Sequence, residues 1–220
     1  MEGFPGWTVA FELLYRQEQS RHASGRTRVK DFGTPIWTAA YQSVPLRPNA
    51  LDEWRARLAA LGNGLGTFKA WPTSRCWPQA HPNGQTQSFP NWVLHTGFWQ
   101  DSGVWLTGAP WNTVGISNGT VATIGANRNT LTIAWTGNTT VLSVGDYVEI
   151  NDRWLHQITD VASGPVYMVA PHLSVGALVG QTVNIHRPGV DMTIVPGSID
   201  TQTGLNGRGT VSFRAIEARG

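Results

Sequence analysis

The sequence predicts a mainly β protein with one α-helix, and three observations point to this class. Among its 220 residues are 25 Gly and 13 Pro, which divide the chain into short segments. Many of these segments alternate apolar and polar residues with a period of two, as half-buried strands do. One segment has the three- and four-residue apolar spacing of an amphipathic helix. We therefore expect small β-sandwiches or barrels with a single helix packed on them.

The first 72 residues are predicted to contain four strands and the helix. Alternating apolar residues indicate strands over residues 7–16 and 36–44, and a shorter strand over 65–72. Residues 27–32 alternate charged with other side chains up to a Gly-Thr-Pro turn, so they are also predicted to be a strand. Residues 17–25 are polar and end at a glycine, which predicts a loop.

The helix is predicted over residues 50–61. Asn49 is a favourable N-cap, Asp52 and Glu53 suit the first turn, and Gly62 suits the position that follows a helix. The predicted buried stripe consists of Leu51, Trp54, Leu58 and Leu61.

The remainder of the chain divides into three parts. Residues 73–111 are rich in Trp and Pro and lack a period, which predicts an ordered irregular segment. Residues 112–204 contain short strands at roughly ten-residue spacing, as in a small barrel or sandwich. Residues 205–220 alternate again, so we expect a closing strand that returns to the sheet of residues 1–72.

The sequence offers no set of residues for catalysis, so we predict that the protein is not an enzyme. Asp101 is the one acid whose Trp-rich surroundings suit a glycosidase, and it lacks a second candidate acid. Cys76 is a lone cysteine without a recognised flanking motif. The six His have no HxH or HExxH spacing. We therefore expect no catalytic residues, no cofactor and no metal site.

Charge and hydropathy favour an assembling protein. The chain has only 14% charged residues, and its basic residues are 14 Arg and two Lys, a bias that suits defined protein interfaces. Arg26, Arg28 and Lys30 would lie on one strand face, either as a candidate subunit interface or as an ordinary solvated face. No apolar stretch approaches 18 residues and the N-terminus lacks an apolar segment, so we expect no membrane insertion and no signal peptide.

The order of these elements resembles the distal tail protein of long-tailed, siphovirus-type bacteriophages and of gene transfer agents. For the core, the resemblance rests on WTVAFELLYR, IWTAAYQSV, NALDEWRARLAALGNG and GTFKAWP. It continues in VGDYVEINDRWLHQITDV, QTVNIHRPGVDMTIVPGSID and GTVSFRAIEA. Together it covers roughly 150 of the 220 residues, and segment 73–111 has no counterpart.

This resemblance implies a tail-tube-like β-sandwich with one flanking α-helix and an inserted small β-barrel or sandwich unit. The sandwich would comprise residues 1–72 and 205–220, and the outer unit residues 112–204. Proteins of this family form a ring, usually a hexamer, that joins the tail tube protein to the tail-tip hub protein and receptor-binding apparatus. The implied location is the virion tail tip, assembled in the host cytoplasm, with DNA only as passing cargo in the lumen.

An alternative function stays open at this point. A carbohydrate- or receptor-binding module of a tail tip would use exposed Trp side chains as stacking platforms. The candidates lie in the Trp-rich segment and are Trp92, Trp99 and Trp105. Whether these side chains are exposed in a row or buried would discriminate the two functions.

Overall fold

The structure is a computed structural model, and it describes residues 6–22, 24–72, 77–80, 119–135, 141–163 and 165–218. The chain divides into two compact units. Unit 1 comprises Met1–Ala70 and Val190–Gly220, and unit 2 is Trp71–Gly189. The Trp-rich segment lies almost entirely outside the described residues.

The described part of the chain contains one α-helix and fourteen strands. The helix α1 spans Pro48–Ala60. The strands of unit 1 are β1 Gly6–Leu14, β2 Gln17–Arg21, β3 Thr27–Asp31, β4 Ile36–Ser43, β5 Thr67–Ala70, β12 Val190–Ile194, β13 Asp200–Thr203 and β14 Gly209–Glu217. The strands of unit 2 are β6 Gly119–Ile124, β7 Thr130–Trp135, β8 Tyr147–Ile150, β9 Trp154–Ser163, β10 Val166–Ala170 and β11 Thr182–Asn184. The predicted mainly β class with one helix is confirmed.

Unit 1 is built on a six-stranded antiparallel sheet. Its order is β1-β4-β14-β12-β5, and β13 also pairs with β14. The closing strand therefore returns to the N-terminal sheet as predicted, with Phe213 opposite Tyr41 and Ala215 opposite Ala39. The predicted outer unit 112–204 extends too far, because β12 and β13 belong to unit 1. Met192, in the middle of β12, is fully buried between β14 and β5.

The helix begins two residues earlier than predicted. Arg47 is the N-cap residue and makes no side-chain capping hydrogen bond. Pro48 occupies the first turn, where backbone N–H groups have no acceptor within the helix, so a proline there costs no helix hydrogen bond. Asp52 and Glu53 therefore lie beyond the first turn, contrary to the prediction. They instead form exposed ion pairs with arginines one turn further along the helix. Gly62 follows the helix with φ +60°, as its predicted position requires.

The apolar stripe of α1 packs on one face of the sheet. Leu51, Trp54 and Leu58 are buried, whereas Leu61 is half-buried. The helix approaches β14 closely at Gly209, where an added Cβ would lie 2.8 Å from Leu51 Cδ2. On the same face, the buried side chains of β4, β12 and β14 complete the core. They are Trp37, Ala39, Tyr41, Val190, Met192, Ile194, Val211, Phe213 and Ala215.

Unit 2 contains a closed six-stranded barrel, which is one of the two architectures predicted for it, a small barrel or a sandwich. The strand order is β10-β7-β6-β11-β8-β9, and β9 pairs with β10 to close the barrel. Closure leaves no free sheet edge in the barrel. Its interior is filled by aliphatic side chains and one tyrosine. They are Val121, Leu131, Ile133, Leu142, Val148, Ile150, Ile158, Tyr167, Val169, Leu173, Ala177, Val183 and Ile185.

Within the described ranges, no helix combines the length and the apolar character needed to cross a membrane.

Truncating the helix stripe should destabilise unit 1. Because Trp54 is only 5% exposed, Trp54→Ala removes a large buried side chain and should lower the free energy of unfolding by roughly 3–5 kcal/mol. Denaturant unfolding of the purified protein measures this change. Asp52→Ala, on the exposed side of the same helix, is the control and should change it by less than about 0.5 kcal/mol. A loss below about 1 kcal/mol for Trp54→Ala would mean that the stripe does not hold the helix on the sheet.

The core tyrosine should make unit 1 sensitive to alkali. Burial raises the pKa of Tyr41 from 10.0 to about 12. The unfolded chain loses this proton near pH 10, whereas the folded chain keeps it up to about pH 12. The free energy of unfolding should therefore fall by roughly 2–3 kcal/mol as pH rises through this interval. Tyr41→Phe should weaken that decline, as measured by unfolding at a series of pH values. Tyr15→Phe, at a tyrosine that is 57% exposed, should leave it unchanged.

Candidate functional site: the exposed ribbon and the open sheet face

The described residues contain no group of three or more His, Cys, Asp or Glu side chains that could hold a metal. Among the described residues of unit 2, three acidic or imidazole side chains are buried, and each contacts the chain around the barrel. Asp146 accepts hydrogen bonds from the backbone N–H groups of Gln79 (2.9 Å) and Ser143 (2.8 Å). Glu149 Oε2 accepts one from Gly189 N at 3.0 Å. In each case the carboxylate holds a connecting segment against the barrel.

The third of these buried side chains is His156. Its Nδ1 lies 2.8 Å from the carbonyl oxygen of Pro171, so the ring fixes the segment that follows β10. The position of His156 in a strand agrees with the sequence, which alternates there. Its ring is buried on the barrel side of β9, opposite Val148.

Strands β2 and β3 form a separate two-stranded ribbon. It continues the β1–β4 pair beyond the edge of the sheet, because the last sheet pair is Leu14 with Ile36 and the first ribbon pair is Gln17 with Asp31. A bond from Phe32 N to Arg16 O, 2.8 Å long, links the two parts. Residues 17–21 are thus a strand, and the predicted loop there is wrong.

All ten strand residues of the ribbon are exposed. Val29 is 59% exposed, and at its base Tyr15 is 57% and Phe32 48% exposed. An isolated two-stranded hairpin is marginally stable in water and needs a further strand or a packed surface. Packing against a further surface would therefore stabilise the ribbon.

The ribbon has two different faces. Directly paired residues share a face, so Glu18 with Lys30 and Ser20 with Arg28 form a charged face. Lys30 Nζ lies 5.2 Å from the centre of the Phe32 ring on this side. The second face, which we call the Val29 face, consists of Gln17, Gln19, Arg21, Thr27, Val29 and Asp31.

The predicted basic triplet is thus only partly on a strand. Arg28 and Lys30 lie on β3, as predicted, and each is exposed. Arg26 lies before the strand, in the turn, where its carbonyl accepts a hydrogen bond from His22 N. Lys30 stands opposite Glu18, so this face carries both signs of charge.

Among the described residues, a second surface of exposed and half-buried side chains lies on the sheet of unit 1, on the side opposite α1. We call it the open face. The register aligns its side chains in rows across β1, β4 and β14. The rows are Gln42 with Ser212; Ala10 with Ala40 and Arg214; and Glu12 with Thr38 and Ile216. The small side chains of Ala10 and Ala40 leave two shallow depressions of ≈ 350 and ≈ 310 Å³. Both depressions are lined by these two alanines and by Arg214.

The other predicted site residues are not described by the structure. Trp92, Trp99 and Trp105, the candidate stacking platforms, lie outside the described residues, as do Cys76 and Asp101. The ribbon is not predictable from apolar periodicity, because β2 carries no apolar residue. The turn dipeptide Ser24-Gly25 between two polar runs of equal length was the signal that could have indicated a hairpin.

Comparisons with known proteins add no family to this description. No protein-family model matches the sequence, and no curated protein matches it.

The free ribbon should be a preferred site of proteolysis. Its strands lack packing on either face, so local opening is easy, and it carries Arg21, Arg26, Arg28 and Lys30. Limited trypsin digestion followed by mass spectrometry should show cuts there earlier than at Arg128 or Arg153 of unit 2. Equal or slower cleavage in the ribbon would contradict the description of the ribbon as an uncovered element.

Proposed function

We propose that this chain is a structural subunit of a bacteriophage tail, which forms a ring at the distal end of the tail tube. The observation that supports this proposal most strongly is the exposed β2–β3 ribbon, a two-stranded extension that packing against a partner surface would stabilise. An assembling subunit provides such a surface on each neighbouring copy. In a ring every contact is heterologous, since one face of each copy meets a different face of the next.

Unit 1 is the ring-forming part in this proposal. In this proposal its six-stranded sheet and flanking helix take the place of the tail-tube-like β-sandwich that the resemblance implies. The ribbon projects from the β1–β4 pair of this unit, so an interface there would continue directly from the sheet. The low charge and the excess of Arg over Lys suit surfaces that become buried between copies.

Unit 2 is the outer part. A closed barrel has no free edge through which it could add strands, so it suits a module that is displayed rather than one that builds the ring. We place it on the tail exterior, at the virion tail tip. The ring would join the tail tube protein to the tail-tip hub protein, with DNA passing through its lumen, and six copies match the usual ring of the family that the sequence resembles.

The mass of the assembled protein tests this function. At high concentration, or on assembled tails, we expect particles near six times the 24.0 kDa chain mass, with each interface burying on the order of 1,000 Å² or more. Mass photometry of the purified protein and mass spectrometry of purified virions measure the two states. A protein that stays monomeric at high concentration and is absent from tails would overturn the proposal.

Matched variants separate ring contacts from unspecific effects. Val29, on the ribbon, and Leu178, on unit 2, are 59% and 60% exposed, so a charge at either position should leave the fold of the free chain intact. Val29→Glu should prevent ring formation, and Leu178→Glu should not. Loss of the ring in both variants, or in neither, would contradict the assignment of the ribbon to the interface.

A further inference from the structure

We propose that the ribbon of one copy lies across the open face of a second copy, with its Val29 face toward the sheet. This inference rests on the proposed ring function and identifies the two surfaces that meet. The ribbon does not lie on its own sheet, since all ten of its strand residues are exposed. The occupant in this proposal is another molecule of the same chain, whose ribbon carries charges that match those of the open face.

Shape supports the Val29 face as the side that docks. The centre of the open face is formed by Ala10 and Ala40, whose small side chains leave the depressions next to Arg214. Val29 is the apolar residue in the middle of its ribbon face, flanked by Gln19 across the strand pair. A valine placed over two alanines buries apolar surface on both sides, and no charged group is desolvated at this central point.

Charge supports the same arrangement. The open face carries Arg214 on β14 and Glu12 on β1. The register places Glu12 two strands away from Arg214 across the sheet and two residues further along the strand direction. From standard strand spacings, their Cα atoms are about 12 Å apart. The Val29 face carries Asp31 at one end and Arg21 at the other, about 14 Å apart by the same spacings. Asp31 can therefore meet Arg214 while Arg21 meets Glu12.

The local structure fixes one of these charges before docking. Asp31 Oδ1 accepts a hydrogen bond from Gly33 N at 3.1 Å, which holds the carboxylate at the base of the ribbon. Gly33 has φ +129°, a conformation that an L side chain rarely adopts, so the turn that positions Asp31 favours glycine. A carboxylate held in advance loses less side-chain entropy when it pairs.

The charged face of the ribbon fits this position less well. There Lys30 already stands opposite Glu18 and lies over the Phe32 ring. Docking by that side would place Arg28 and Lys30 near Arg214, and like charges in contact oppose association. In the proposed orientation the charged face points away from the sheet.

Engineered disulfides between copies test the arrangement. In a Cys76→Ser background, Val29→Cys protein is mixed with Ala40→Cys protein, allowed to assemble, and oxidised with glutathione disulfide. We expect a mixed dimer on non-reducing gels, at least about fivefold more abundant than from Ser20→Cys mixed with Ala40→Cys. Ser20 is the matched control because it lies on the opposite face of the same ribbon.

Charge exchange provides an independent readout. Asp31→Arg and Arg214→Asp should each weaken ring assembly about tenfold or more, and the double variant should recover most of that loss. Rings that form without the Val29–Ala40 disulfide, or with a Ser20–Ala40 disulfide instead, would overturn the docking and leave the ring function standing. A chain that is monomeric in every state, tails included, would overturn both.

Discussion

The pairing of β14 with β4 is the contact on which unit 1 depends. It joins the last strand of the chain to a strand near its beginning and places Phe213 against Tyr41, with ring centres 4.9 Å apart. A pairing between such distant segments must overcome a large loop-closure entropy, so the buried core on one side of it has to be substantial. Gly209 extends this requirement to its neighbours, since an added Cβ would collide with the backbone carbonyl of Gln202 on β13 and lie 2.8 Å from Leu51 Cδ2 on the helix.

The same pairing explains why the opposite side of the sheet is open. In an antiparallel sheet, alternate residues face opposite sides, so the large buried residues of β4 and β14 leave Ala40, Gln42, Ser212 and Arg214 on the other face. Small and polar residues cannot form a second core. This face is therefore a surface with shallow depressions next to the base of the ribbon, whose ten strand residues are also exposed.

Much of the fold follows from sequence periodicity, and the exceptions have physical causes. The strands with alternating apolar residues and the Leu51, Trp54 and Leu58 stripe were predictable because each buries one face. Strand β2 was not, since both its faces are exposed and no apolar pattern is required. The start of the helix was misplaced because Pro48 begins it without a capping side chain. The extent of the outer unit was misjudged because β12 resembles a barrel strand locally and is assigned to unit 1 only by its partners.

The candidate site was less predictable than the fold, because the ribbon and the open face are identified by the exposure of their side chains, which the sequence does not show. A basic pattern such as Arg28 and Lys30 indicates an exposed strand face, and it does not reveal that Glu18 stands opposite. The face that we propose for docking was identified by a different residue, Val29, whose exposure is visible only in three dimensions. A valine on a free ribbon gains stability only when it is buried, so its position links the stability of the ribbon to assembly. Association through this surface would therefore bury Val29 and stabilise the ribbon.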